Sequence, residues 1–482
     1  MATMLRMRLW VVGALLVMGG CSVGPDFRVS DNGLDQAVLS AKDQLAATTK
    51  TTAMPVPQAW WSLFNDPILD ALIAQAWSSN LDLQASAARL LQSRAQAGIA
   101  ASGAFPRIGV EGKYARNAIS EAGPLVALGA SPTPDDLWQV GFDASWELDL
   151  WNRQGRIREG ALAQSRAVAL DNEFVRVSVA AEIAQRYLNL RGVQEQEKIA
   201  EQNLDVARHT VRLAESRQSN GVGTRFDVAS ARAQLAEVGA LLPTLRQQQN
   251  QLMNSLAIAL GEAPRNLDGI LTPSVRILLP PRQLSVGLPS ELAKRRPDIL
   301  SAEAKLHAAT AEIGAAEADF YPRITLIGSF GFQSRDEADL GHWNSRQFSV
   351  GPSIYLPIFE GGRLKRTLEL KQARQKNAAI EFRATVLRAW HEVDNALNVR
   401  ASEDRRHQAL IQAYEQAHEA LNAAEQSYRN GVSDYLSVLI AQRTALNNQL
   451  ELSNSSTSMS LAMVSLYKAL GGGWNPQQGL EP

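Results

Sequence analysis

From Trp138 to Leu150 apolar and polar residues alternate strictly: Trp138, Val140, Phe142, Ala144, Trp146, Leu148 and Leu150 fall between Gln139, Gly141, Asp143, Ser145, Glu147 and Asp149. A period of two places one set on each face of a strand. Ile108, Val110 and Tyr114 stand against Arg107, Glu111 and Lys113 in the same way, and Ile324, Leu326, Phe330 and Phe332 against Thr325, Ser329 and Gln333. Phe348, Val350, Ile354, Leu356 and Ile358 alternate with Ser349, Gly351 and Ser353. Strands are therefore expected over about 105–119, 137–150, 321–334 and 346–358.

After each strand pair the apolar spacing changes to alternating fours and threes, as in Leu170, Phe174, Val177, Ala181, Ala184 and Leu188. Heptads rich in small side chains predict closely packed coiled-coil helices. A helix over 156–219, about 64 residues, would be roughly 96 Å long at 1.5 Å per residue, and one over 363–429 is similar. Return helices are expected over 224–260 and 434–470. At about 55 Å each they are too short to reach the strands alone. The helix from about Asp66 to Ala104 supplies the missing length if the two stack end to end.

The pattern occurs twice. Ala200, Leu204, Ala207, Val211, Ala214 and Gln218 shift by 210 onto Leu410, Tyr414, Ala417, Leu421, Ala424 and Tyr428, and Asn220-Gly221-Val222 onto Asn430-Gly431-Val432. Phe105-Pro106-Arg107-Ile108 shifts by 216 onto Tyr321-Pro322-Arg323-Ile324, and the six-residue difference is assigned to a loop between paired strands, where length changes cost little. One copy spans 66–261 and the second 290–471, joined by a Pro-rich connector over 262–289; an extended arm over 21–60 precedes them and a tail over 472–482 follows. The fold class is mainly α with a membrane β-barrel: four transmembrane strands per chain plus long coiled-coil helices, duplicated internally.

Alternation alone favours a soluble sheet with one wet face. The rest of the chain, however, offers no globular layer to cover four apolar strand faces, and runs of about ten residues suit a barrel with lipid outside and water inside. Four strands leave two unpaired edges, which lipid does not tolerate. More than one chain must share a barrel; three would give about twelve strands.

Composition narrows the chemistry. With 48 basic against 49 acidic residues, the balance gives no electrostatic case for nucleic acid. Arg6 and Arg8 precede the apolar run Leu9 to Met18, the pattern of a signal peptide over 1–20. No run of roughly 20 apolar residues, the length of a spanning helix, occurs. The single cysteine, Cys21, follows Met18-Gly19-Gly20 and resembles a bacterial lipobox cysteine, which carries an N-acyl and an S-diacylglycerol group. An incidental cysteine is the bland alternative, but a lone thiol in an oxidising compartment would be a liability. Ser22 stands where an Asp would favour retention at the inner membrane. The six histidines are dispersed and no metal-binding, phosphate-loop or nucleophile motif is present, so no catalytic residue, metal site or other cofactor is assigned.

Five segments together carry a family resemblance. They are Cys21-Ser22-Val23-Gly24-Pro25, Arg295-Arg296-Pro297-Asp298-Ile299, Phe320-Tyr321-Pro322-Arg323-Ile324, Leu356-Pro357-Ile358-Phe359-Glu360-Gly361-Gly362-Arg363 and Tyr467-Lys468-Ala469-Leu470-Gly471-Gly472-Gly473-Trp474. The chain resembles the TolC-type outer-membrane factors and, among them, the OprM-like or NodT-like lipoproteins of efflux systems. The resemblance implies a homotrimer in the outer membrane of a Gram-negative bacterium. Its helical barrel would cross the periplasm to meet an adaptor protein and an inner-membrane pump of the RND type, and it would act as a passive conduit for drugs or other small toxic compounds. Protein secretion of type I and heavy-metal export stay open, as does a structural periplasmic adaptor lipoprotein, although such adaptors have a single helical hairpin.

The resemblance also assigns sites. Adaptor contact falls on the two helix turns, Gly221, Val222 and Gly223, and Gly431, Val432 and Ser433; glycine there has an independent reason in the positive φ of a helix C-terminus. The periplasmic gate falls on Leu436 and Ile440, the latter standing where many relatives carry an Asp, with Asp227, Asp434 and Arg443 nearby. Asp434 reads equally as a helix N-cap and Arg443 as an interhelical salt-bridge residue.

Overall fold

The computed structural model describes residues 22–28, 50–52, 56–273, 278–281, 283–285 and 295–475. The signal peptide, the lipidation position Cys21, most of the arm and most of the tail lie outside the described residues. The chain divides into two compact units, one comprising residues 1–30, 91–167 and 302–382 and the other residues 31–90, 168–301 and 383–482.

In chain order the main elements are α1 (Pro67–Ser79), α2 (Leu81–Ser102), β1 (Arg107–Asn117), β2 (Asp135–Leu148), α3 (Arg153–Ser219), α4 (Arg225–Ala259), α5 (Pro297–Ala318), β3 (Arg323–Ser334), β4 (Arg346–Tyr355), α6 (Arg363–Arg429) and α7 (Tyr435–Ala469). Three helix pairs match residue for residue in length: α3 and α6 have 67 residues each, α4 and α7 have 35 each, and α2 and α5 have 22 each. The strand-pair loops are unequal, residues 118–134 in the first copy and 335–345 in the second. Lys50–Thr52 and Gln283–Ser285 form a short parallel pair.

The first unit is built on an antiparallel sheet of order β1-β2-β3-β4. Strand starts are set by chemistry the alternation does not carry. Pro106 and Pro322 lack an N–H for the ladder, so β1 and β3 begin one residue later, at Arg107 and Arg323, not at 105 and 321. Pro357 likewise follows the end of β4 at Tyr355, short of 358.

The second unit is helical. Trp60 is fully buried and stacks on Tyr467 at 5.8 Å, inside a core that also takes in Leu69, Ile73, Ile183, Tyr187, Leu256 and Val464. Asp66 caps α1 by accepting from the backbone N–H of Ile68 and Leu69, and its second oxygen accepts from the Tyr187 hydroxyl at 2.6 Å. Burial is the main reason the Tyr187 hydroxyl titrates far above its ordinary range, and Asp66 adds to it. Arg191, 1% exposed, lies over the Tyr187 ring and donates to the carbonyls of Leu271 and Pro273, tying the connector to α3.

The single helix expected over 66–104 is two helices. Asn80 adopts an extended ψ of 125°, caps α2 through its Oδ1 to the N–H of Leu83, and sends its Nδ2 to the carbonyl of Ala259 at 2.7 Å. Asn competes with the helical backbone in this way wherever a partner is supplied.

Candidate functional site

Two surfaces carry the functional argument, one on each unit. The first is the sheet. Its register pairs Val110 with Phe142, Phe142 with Phe330, and Phe330 with Phe348. Directly opposed residues share a face, so the even-numbered residues of all four strands form one side. That side is apolar over its middle and its helix end, from Ile108 through Phe142 and Phe330 to Ile354. The odd-numbered side carries Glu111, Lys113, Asp143, Gln333 and Ser349, with Leu137 and Ile327 as large apolar exceptions.

The apolar side is bare. Val350 is 83% exposed, Phe348 72% and Ile108 71%. A continuous face of this size in water would cost far more than the scattered exposed side chains of ordinary surfaces, since each fully buried large apolar side chain is worth about 1.5–3 kcal/mol. β1 and β4 are edge strands, each with one unpaired ladder among the described residues.

The arm enters this unit just after Cys21. Val23 donates to the carbonyl of Trp151, and Gly24 lies so close to Gly314 that a Cβ on it would sit 2.3 Å from the Gly314 Cα. Phe27 stacks on His307 at 4.5 Å, His307 Nε2 lies 2.8 Å from Glu159, and Arg156 bridges Asp26 at 2.6 Å and Glu159 at 2.9 Å. Burial alone would raise the Glu159 carboxyl, but His307 and Arg156 outweigh it and hold the group below its ordinary value.

The second surface is the pair of turns in the helical unit. Gly221 and Gly431 sit at φ +76° and +77°, where any side chain is strained. Val222 N–H returns to Arg217 O at 3.0 Å, and Val432 N–H to Ser427 O at 2.9 Å, so each helix end is closed the same way. Gly223 and Ser433 complete the turns, while Val222 and Val432 project outward at 66% and 81% exposure.

Asp227 and Asp434 are caps. Asp227 accepts from Thr224 N–H while Thr224 Oγ1 accepts from Asp227 N–H, a reciprocal capping box. Asp434 accepts from the N–H and the hydroxyl of Ser437. Arg443 reaches from α7 to α4, donating to Gln234 Oε1 at 2.8 Å and pairing with Glu237. Leu436 and Ile440 point away from the chain's own core, at 44% and 57% exposure. The capping and bridging groups are thus separate from the two open apolar side chains.

Between the turns lies a contact that the sequence reading did not single out. The Arg217 guanidinium sits 4.4 Å over the Tyr428 ring and donates to the Tyr428 carbonyl at 3.0 Å, and Tyr428 meets Tyr435 at 5.7 Å. Both rings are buried, and burial pushes the Tyr435 hydroxyl up to about 12 and raises that of Tyr428. The available signal was the mismatch between copies: Arg217-Gln218 in the first occupies the place of Ser427-Tyr428 in the second. Of the heptad positions, Ala200, Ala207, Val211, Ala214, Ala417 and Tyr428 are buried, whereas Leu204, Gln218, Leu410, Tyr414, Leu421 and Ala424 are only partly covered and Phe174 is 36% exposed.

Comparisons with known proteins agree with this geometry. A family model described as outer membrane efflux protein matches residues 72–262 and 288–472. The pyoverdine export outer membrane protein OpmQ of Pseudomonas aeruginosa is 32% identical over 98% of this chain and 98% of its own length. Outer membrane protein OprJ of the same organism is 32% identical over 97% of each. Among solved structures, the outer-membrane channel OprN superposes with a TM-score of 0.87 at 32% identity, covering 94% of this chain and all of that one. The CmeC outer membrane channel of Campylobacter jejuni, at 23% identity and a TM-score of 0.85, has the same fold.

Proposed function

The chain belongs to the outer membrane efflux protein family and is an outer-membrane channel component of an efflux pump, and we propose that three copies close one passive duct for small organic molecules. The strands lie in the outer membrane and the long helices in the periplasm. The observation that supports a shared barrel is the bare even-numbered face ending in two unpaired edges. Lipid covers such a face without cost, and only the edge of another copy satisfies the open ladders.

The tips at Gly221 to Gly223 and Gly431 to Ser433 receive a periplasmic adaptor, and an inner-membrane pump of the RND type supplies the energy. Leu436 and Ile440, apolar and open, narrow the duct above the tips; Asp227, Asp434 and Arg443 hold the helices that present them. Cys21 carries the lipid. The docking of residues 22–27 supports this, because it brings the chain beside Trp151, at the helix end of the sheet.

The cargo class follows from relatives named for pyoverdine export, solvent efflux and toluene efflux, all concerned with small organic compounds. Deleting the gene from its host should raise sensitivity to solvents and drugs, and restoring the chain should reverse it. Outer-membrane fractions should yield heat-modifiable trimers, and single cysteines along β1 and β4 should cross-link neighbouring copies. A soluble monomer after removal of the anchor would overturn the shared barrel.

A further inference from the structure

The even-numbered face of the sheet carries three charges, Arg116, Asp136 and Arg346, and all lie at its loop end. At the helix end the same face closes on Trp146, Leu148, Ile324 and Ile354, with no charge. The odd-numbered face has no such bias: Arg107 and Glu147 stand at one end, Lys113 and Asp135 at the other. The two guanidinium groups therefore mark one side of the membrane and only the surface that meets lipid.

Their surroundings differ. Asp136 accepts from the Tyr114 hydroxyl at 3.0 Å and lies 3.8 Å from Arg116, whose side chain remains 63% exposed. The Arg346 guanidinium lies 4.4 Å over the ring of Trp343 and donates to the Trp343 carbonyl at 2.7 Å. No carboxylate pairs with Arg346 among the described residues. The patch keeps a net positive charge beside exposed aromatic rings that suit a membrane interface.

Both arginines sit on edge strands, Arg116 on β1 and Arg346 on β4. When copies close a barrel, as the reading above requires, β4 of one copy meets β1 of the next, so each seam is flanked by one arginine from either side. We propose that this pair binds the phosphate of a phosphorylated glycolipid in the outer leaflet. Guanidinium matches phosphate with two parallel hydrogen bonds, and the bond gains strength where acyl chains and rings lower the dielectric. The acyl chains would run down the apolar row of Phe348 and Val350. The helix end, lacking arginine on this face, would hold no such lipid, so the lipid also fixes the barrel's depth.

The test uses the intact protein extracted from outer membranes, with bound lipid A counted by native mass spectrometry and trimers scored by cross-linking on the same samples. Wild-type trimers should retain lipid A and, once stripped, rebind it about tenfold or more tightly than its dephosphorylated form. R116Q/R346Q should lose that preference while remaining trimeric, and R335Q, whose Asp135 partner belongs to the other face, should keep it. Equal binding of the two lipids by wild type, or an undiminished preference in the double variant, would overturn the site and leave the arginines as headgroup-level anchors only. Should the double variant fail to assemble, the wild-type comparison of the two lipids decides. Failure of the shared barrel itself would appear separately, as absent cross-links in wild type.

Discussion

Asn80 and Arg296 do the same work in the two copies of the repeat. The Asn80 amide donates to the carbonyl of Ala259, the last residue of α4, and the Arg296 guanidinium donates to the carbonyl of Ala469, the last residue of α7, at 2.8 Å. Each locks the end of a return helix to the start of the helix that precedes the strands. Arg296 also bridges Asp298 and Glu392, and these partners with burial set its charge: burial lowers its pKa, and the two carboxylates more than restore it.

Asn80→Ala should destabilise the protein by about 1–3 kcal/mol, because the Ala259 carbonyl is left buried without a donor. Arg296→Met should cost roughly 2–3 kcal/mol, less than a fully buried pair because Glu392 is half exposed. Denaturant midpoints of the detergent-solubilised protein measure both; unchanged midpoints would mean that neither lock bears on stability.

Valine at Gly221 or Gly431 is expected to cost about 1–2 kcal/mol of backbone strain at a positive φ. Export should fall while trimer abundance is largely kept, since both turns are exposed. Normal drug export by both variants would remove the turns from partner contact.

Removing the cation over Tyr428 should loosen the tips. Arg217→Ala loses a desolvated cation–π contact of about 2 kcal/mol, which can shift a closed-to-open equilibrium by roughly thirtyfold. Single-channel recording should find a small resting conductance in the intact protein and a larger one in the variant. A large conductance in the unaltered protein would show that the duct is not closed at rest.

Leu436 and Ile440 are open apolar side chains on α7, one turn apart. Ile440→Asp should place a ring of carboxylates in the duct and increase cation selectivity. Leu436→Ser should raise conductance without changing selectivity. Reversal-potential measurements distinguish the two, and no change in either variant would place both residues outside the pore.

The docked arm should depend on pH through Glu159. Its folded value lies below the ordinary carboxylate value of about 4.3, so the stabilisation is fully present above that value and is lost as the pH falls through the folded one. Protection of the amides of residues 22–28, relative to free-peptide exchange at the same pH, should fall as the pH drops through the folded value, and Glu159→Gln should abolish the step. Protection that does not change with pH in the unaltered chain would separate the arm from this carboxylate.

The strands and coiled coils were legible because a single environment acts on whole rows of residues. Lipid on one side of the sheet makes nearly every even position apolar, and Ile327 barely disturbs the pattern. Heptad seams from Ala200 to Tyr428 announce themselves for the same reason. The break at Asn80 was not legible, since its cause is a carbonyl 179 residues away. Asp434 was legible as a helix N-cap, and its side chain takes the Ser437 N–H, whereas the capping box that Asp227 closes with Thr224 was not singled out. The Arg217 to Tyr428 contact lies between positions that differ in the two copies, so the repeat that made the fold readable concealed it.

Each chain ends its sheet with two open ladders, so the protein is a fraction of a product and every copy has two customers. A chain with a damaged β1 or β4 would still offer a sound edge to a healthy neighbour and enter the ring. If half the chains were so damaged and joined at random, only about one ring of three in eight would be intact. Such lesions would therefore be dominant in a cell that also makes the normal chain, whereas a change that stops the sheet from forming at all would be silent beside it.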